Sequence, residues 1–375
     1  MLGVVTARCH GEIRVATSIG DDVEVATDDL LTERLLRVID EGRRTATYKL
    51  ALLLALMDGV AAMPGATELP TRRIAEDVLA VYYPQTRTYA ANDGISRELR
   101  QITMKGSPPL RAALRLRLAG DVAGCRSADE ARRHIPDEYE VAVSVVEDTF
   151  VRYPIPLLQV VGTKLLPFLY EPDWPEGTSA AGLRRDGRDR VRLLPGVADR
   201  LVVLGPLLRP LIELHWTRDV ARWTGVPTED DRLRAHLFGA DRLAFPAALR
   251  RGLAEIQGGS CFYCGDRLGQ RVEVDHFLAW SRWPNDAVEN LVVADRCNGA
   301  KSDHLVAPEH LDRWSAHVSE RAGDLAEIAI QAGWSSDHPR SLGLVRSTYG
   351  HLAPGTPLWV RGREFTEALG PLQVE

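Results

Sequence analysis

Gly258-Gly259-Ser260-Cys261-Phe262-Tyr263-Cys264-Gly265 opens a stretch, residues 258–305, whose reading decides the architecture of the chain. Next come Val272-Glu273-Val274-Asp275-His276-Phe277 and a loop holding Trp280, Trp283, Pro284, Asn285 and Asp286. Asn290-Leu291-Val292-Val293 follows, then Cys297-Asn298-Gly299-Ala300-Lys301-Ser302-Asp303. Val272 and Val274 alternate with polar residues, the period of a strand. Pro284, Asn285 and Asp286 supply turn chemistry. Leu291 to Val293 predicts a second short strand, and Asn298 to His304 the start of a helix. The order is strand, loop, strand, helix.

Asp275-His276, Asn290, Asn298 and Lys301, flanked by the Cys pair, together resemble the HNH endonucleases, the ββα-metal or His-Me finger fold. The likeness is to the Asp-His…Asn…Asn form found in CRISPR effector nucleases and many bacterial stand-alone nucleases. It covers this stretch alone. It implies a metal-dependent endonuclease that hydrolyses DNA phosphodiester bonds. On that likeness His276 is the general base. Asp275 and Asn298 are ligands of a catalytic Mg2+ or Mn2+, Asn290 fixes the loop and the orientation of His276, and Lys301 contacts a neighbouring phosphate. The residue types suit the chemistry. An imidazole with a pKa of about 6.5 takes a proton from water at cellular pH, and a hard divalent cation prefers oxygen ligands. Adjacent strand residues point to opposite faces, so Asp275 and His276 are expected at a strand end. Each residue also has a plainer reading: a structural histidine, a turn cap at Asn290, a helix N-cap at Asn298, an exposed surface lysine at Lys301.

Cys261 and Cys264 have the spacing of a zinc knuckle. Many HNH proteins add a second Cys pair beside the last motif. Here Cys297 stands alone, with Ala294 three positions earlier, and the interval from Asn290 to Asn298 is one residue shorter than the usual pattern. The alternatives are a three-thiolate site, a site completed by Asp295 or a distant His, or three buried thiols without metal. A structural Zn2+ is the expectation.

The whole chain has 375 residues, 45% apolar and 26% charged. That is ordinary globular composition and excludes collagen-like, disordered and disulfide-scaffold proteins. The length suggests two or three domains at roughly 100–200 residues each. The net charge is −6, the wrong sign for a compact DNA-coating protein. Residues 258–305 themselves carry Arg267, Arg271, Arg282, Arg296 and Lys301 against seven acids. Positive charge clusters elsewhere, at 97–117 with Arg111, Arg115 and Arg117, and at 184–192 with Arg184, Arg185 and Arg188. These are either solvated faces or phosphate-tracking patches. Trp280 and Trp283 are either a packing anchor or a surface that meets DNA.

Apolar periodicity predicts helices over about 28–41, Thr45 or Thr47 to Met63, Thr71 to Tyr83, Pro136 to Tyr153, 196–223 with a kink or break at Pro206 and Pro210, 232–238, 247–256, 308–319 and 320–332. Pro354 to Val360 predicts a terminal strand or hairpin. The expected fold is α+β: a flexible or short-strand N-terminus (1–27), a mainly helical substrate- or partner-recognition region (28–240), an HNH module (241–320), and a helical tail packing on that module (321–375). The apolar block Leu50 to Met57 ends at Asp58, too short to cross a bilayer. The first 30 residues carry no secretory pattern. A cytoplasmic protein without a membrane partner is expected. A helical sensor joined to an HNH module suits bacterial defence against phage or foreign DNA, an analogy at the level of fold, with targeting by the helical region or by a protein partner. Two rivals stand beside it: a non-catalytic nucleic-acid- or protein-binding adaptor keeping the ββα fold, and a nuclease acting on RNA or branched DNA.

Overall fold

A computed structural model describes residues 30–40, 44–91, 94–103, 106–161, 164–172, 174, 177–227, 231–239, 244–270 and 272–374. The expected N-terminal segment 1–27 lies outside the described residues.

Helix α1 (30–39) buries Leu31, Leu35 and Ile39 at the expected i, i+4, i+8 spacing. The buried Arg44 closes its C-terminal end, donating from Nη1 to the Ile39 carbonyl at 2.6 Å and from Nε to Asp219 at 2.7 Å. Helix α2 (Tyr48–Ala62) is buried from Leu50 to Ala62. A helix apolar all round belongs at the centre of a bundle, and α3 (Thr71–Gln85), α9 (Val197–Thr224) and α15 (His338–Gly350) pack on it. Helix α3 continues through Pro84, where a stop was expected. Proline in the last turn removes one bond at an end that frays anyway.

Next come α4 (Pro108–Val122), α5 (Ala128–His134), α6 (Pro136–Arg152), α7 (Pro154–Leu157), α8 (Ala180–Arg185) and α9 (Val197–Thr224). Of the kink or break expected in α9, the break is absent: both Pro206 and Pro210 lie inside one helix of 28 residues. Burial of Leu201, Leu208, Ile212, Trp216 and Val220 outweighs the bonds the two prolines forgo. The chain continues through α10 (Asp231–Phe238), α11 (Ala247–Ile256), α12 (Arg296–Lys301), α13 (Pro308–Glu320), α14 (Ala322–Ala332) and α15 (His338–Gly350).

Strands are short and join into two-stranded antiparallel pairs among the described residues. They are β1 (Glu68–Pro70) with β6 (Arg190–Arg192), β2 (Tyr89–Ala90) with β3 (Ser96–Arg97), and β4 (Val160–Val161) with β5 (Lys164–Leu165). Then come β7 (Glu273–His276) with β8 (Leu291–Ala294), and the terminal hairpin β9 (Pro357–Arg361) with β10 (Glu364–Glu367). The architecture is α+β with helices dominant. No helix among the described residues is long and apolar enough to cross a membrane.

One contiguous core runs from Leu31 to Ala368. The tail does not pack on the C-terminal segment alone. Helix α15 lies so close to α2 that a Cβ on Gly343 would stand 1.9 Å from the Ala62 carbonyl oxygen. Trp283, 1% exposed, is likewise a packing anchor: a Cβ on Gly205 of α9 would meet its ring at 2.6 Å.

Candidate functional site

Strand β7 pairs with β8 in the register Asp275↔Val292 and His276↔Leu291, and α12 packs against β7. The chain therefore runs strand, loop, strand, helix over this stretch. Asp275 and His276 sit at the end of β7, as expected. Helix α12 begins at Arg296, two positions before Asn298, and stops at Lys301.

His276 and Asp275 face different partners. His276 Nε2 and Asp286 Oδ1 are 2.7 Å apart, and the rings of Phe245 and Trp280 each stand 5.7 Å from the imidazole. Asp286 is held through its backbone. Its carbonyl accepts from Trp334 Nε1 at 2.6 Å and Ser335 Oγ at 3.1 Å. Asn290 closes the loop, with its Oδ1 accepting from the Leu278 N–H at 2.9 Å. Its Nδ2 donates to the carbonyls of Leu278 and Asn285, both at 3.0 Å. Asn290 thus ties the backbone beside His276 to the backbone beside Asp286. Asp286 reads in the sequence only as a turn residue. The signal that could have found it is a carboxylate inside the loop that Asn290 ties shut.

On the other side, Asp275 Oδ2 accepts from Tyr263 Oη at 2.5 Å and stands 3.0 Å from Lys301 Nζ. Lys301 also donates to the His276 carbonyl at 2.8 Å. Burial pushes the Asp275 carboxyl up from its ordinary range, and the Lys301 ammonium opposes that shift. Burial, then the neighbouring Asp275, raises the Tyr263 phenol, so it stays a donor. Lys301 is 0% exposed. The expected phosphate contact is therefore corrected: its ammonium neutralises a buried carboxylate and meets no solvent. Asn298 Nδ2 donates to Glu273 Oε2 at 2.7 Å. As they stand, Asp275 and Asn298 do not fit a shared divalent cation, because Tyr263 and Lys301 hold Asp275 while Asn298 turns to Glu273.

The cysteines converge. One ligand atom from each of Cys261, Cys264, Cys297 and Asp295 lies within 4.8 Å of all the others. Asp295 Oδ1 is buried with no hydrogen-bond partner. The knuckle turn is tied down by the Gly265 N–H on the Cys261 carbonyl at 2.9 Å and the Phe262 N–H on the Val293 carbonyl at 3.0 Å. Burial raises the Cys264 thiol and pushes Cys297 up to about 12, with Cys261 adding to the latter. Such thiols give up their protons when a cation supplies the compensating charge. Of the alternatives for a fourth ligand, Asp295 is the one brought to the cysteines. The group can hold a metal.

The basic segments divide. Arg111 and Arg115 are exposed on one face of α4, and Arg185 is exposed on α8. Arg117 instead pairs with Asp121 and donates to Thr86 Oγ1 at 2.8 Å. Arg184 pairs with the fully buried Glu147, whose other oxygen accepts from Thr71 at 2.6 Å. Arg188 lines a small hollow with Glu68, Glu171, Arg190 and Arg192. The phosphate roles expected for Arg117 and Arg184 are corrected, since both guanidiniums are already committed to carboxylates.

A family profile described as a domain of unknown function (DUF8808) matches residues 28–235, the helical region that precedes the site. No curated protein and no solved structure matches the chain.

Proposed function

The chain belongs to the DUF8808 family, which matches more than half of it, and since that description assigns no activity, we propose from the C-terminal site that it is an HNH-type endonuclease hydrolysing DNA phosphodiester bonds. The observation that carries this reading is the His276–Asp286 pair at 2.7 Å, set at the end of the first strand of a strand–loop–strand–helix unit. A carboxylate facing Nε2 holds the proton there and leaves the lone pair on Nδ1. His276 then takes a proton from water through Nδ1, the water oxygen bonds to phosphorus, and the P–O3′ bond breaks with its electron pair going to the 3′ oxygen, which takes a proton from solvent. Asp286 acts through His276 as a positioning residue.

Cleavage is expected to require Mg2+ or Mn2+, although Asp275 as it stands is held by Lys301. Zn2+ is the proposed occupant of the cysteine group, suited by three thiols and one carboxylate. The exposed Arg111, Arg115 and Arg185, or a protein partner, would hold the DNA, and defence against phage or foreign DNA in the bacterial cytoplasm is the proposed setting.

The experiment is a cleavage assay on plasmid, single-stranded DNA and RNA with Mg2+ or Mn2+. His276→Ala is expected to abolish cutting with circular dichroism and melting temperature unchanged. Wild-type rates from that variant would sink the assignment of the base. A second reading, the non-catalytic adaptor, is favoured by one observation: the Lys301 ammonium neutralises Asp275. Binding of nucleic acid without cleavage of any substrate under any divalent cation would select it.

A further inference from the structure

We propose that the cleft between the helical region and the C-terminal segment is a pocket for one nucleobase, set beside the His276–Asp286 pair. The proposal deepens the nuclease reading, on which it rests, by naming what the site holds next to the bond it cuts.

The cleft has a volume of about 410 Å³, within the range of small-ligand sites, which favour the seams between domains. Asp286 and Trp280 line it from the loop after β7, Phe238 and Leu237 from α10, and Arg209 from α9. Its charged lining comprises six arginines and seven carboxylates. Many of these neutralise one another: Arg209 pairs with Asp58, and Asp77 with both Arg73 at 3.2 Å and Arg340 at 3.4 Å. A polyanionic strand gains nothing from such a surface, so phosphates are not what it selects. An uncharged planar ring with donors and acceptors around its rim suits it better. Trp280 and Phe238 bring aromatic rings to the lining, and its polar side chains include both donors and acceptors. Arg209, 5% exposed, keeps a buried Nε with no hydrogen-bond partner. The Trp280 ring is 5.7 Å from the His276 ring. Asp286 itself lines the cleft, so a base stacked on Trp280 would lie beside the carboxylate that faces His276. A base can enter only from a single strand or by leaving its stack in a duplex.

The test uses the full chain and free nucleosides: adenosine, guanosine, cytidine and thymidine, titrated by calorimetry. Binding of at least one, at one site per chain, is expected. Trp280→Ala should weaken it about tenfold or more, and Trp280→Phe should restore most of it, because stacking tolerates any aromatic face. His276→Ala should leave nucleoside binding intact, which separates this pocket from the catalytic reading. A chain that cuts DNA yet binds no nucleoside at millimolar concentration overturns the pocket and keeps the nuclease. Binding indifferent to Trp280→Ala overturns the pocket too. So would a nucleoside 5′-monophosphate binding more than about tenfold tighter than its nucleoside, since that marks an anion site.

Discussion

Lys301 sits where the sequence suggested an exposed phosphate contact, and its neighbours explain why it does not serve as one. Its ammonium is enclosed with Asp275, Tyr263 and the His276 carbonyl. Nothing in Asn298-Gly299-Ala300-Lys301 distinguishes a lysine turned inward from one turned to solvent. Its partner, Asp275, is far off in sequence. Removing one member of a buried ion pair leaves a bare charge and costs about 3–5 kcal/mol, whereas replacing both by apolar groups is often neutral. Lys301→Met is therefore expected to lower stability by that order in urea unfolding, and Asp275→Leu with Lys301→Met to recover most of the loss. Equal losses in the single and double variants would mean that the pair is not coupled. Asp295 carries a second expectation. If it completes the site with Cys261, Cys264 and Cys297, purified protein contains about one zinc per chain, and Asp295→Ala loses that zinc to a chelator faster than the parent. Metal content well below one equivalent, before any chelator, would count against the site. Structural zinc can supply much of a small module's folding free energy, so Cys261→Ser should also loosen β8 and α12.

Helices show where pattern is enough and where it is not. The i, i+4 spacing of α1 and the starts of α3 and α6 follow directly from sequence. Strands β7 and β8 do too, because alternation and turn residues bracket them. The unbroken α9 does not, since two prolines argue locally against it while the packing that overrides them comes from α2. Helix α15, with little amphipathic contrast, reads only as part of a helical tail, and its burial depends on a neighbour nearly the whole chain away. At the site, the order Asp-His, Asn, Asn is legible, but the partners of His276 and Lys301 are not. Those are set by side-chain direction across the sheet. Helix α4 makes the difference testable for the arginines. Arg111 and Arg115 lie on its exposed face, while Arg117 is tied to Asp121. On duplex DNA, each phosphate that a protein ceases to neutralise flattens the log–log salt slope by about 0.9. Arg111→Ala with Arg115→Ala should weaken binding and flatten that slope, and Arg117→Ala should leave it unchanged. No effect from the double variant would assign α4 to plain solvent exposure and targeting to a partner.

Across the molecule, burial is continuous. One apolar core joins the helical region to the C-terminal segment, and α15 bridges them. Its N-terminal approach, Trp334 to Asp337, bonds to Asp286 and Glu289, while Gly343 seats it on α2. Gly343→Val should push these helices apart at a cost of roughly 1–3 kcal/mol or more. Hydrogen exchange should then quicken at residues 285–290 as well as along α15. Unchanged protection at 285–290 would show that the clamp on Asp286 is independent of how α15 is seated. That clamp also sets an order in time. A ribosome makes residues 272–294 before it makes Trp334 and Ser335, and the α2 surface that receives α15 earlier still. Until those last segments emerge from the exit tunnel, the Asp286 loop lacks the bonds that fix it against His276. On the nuclease reading proposed above, the site would stay unarmed while the chain is still tethered to its own messenger.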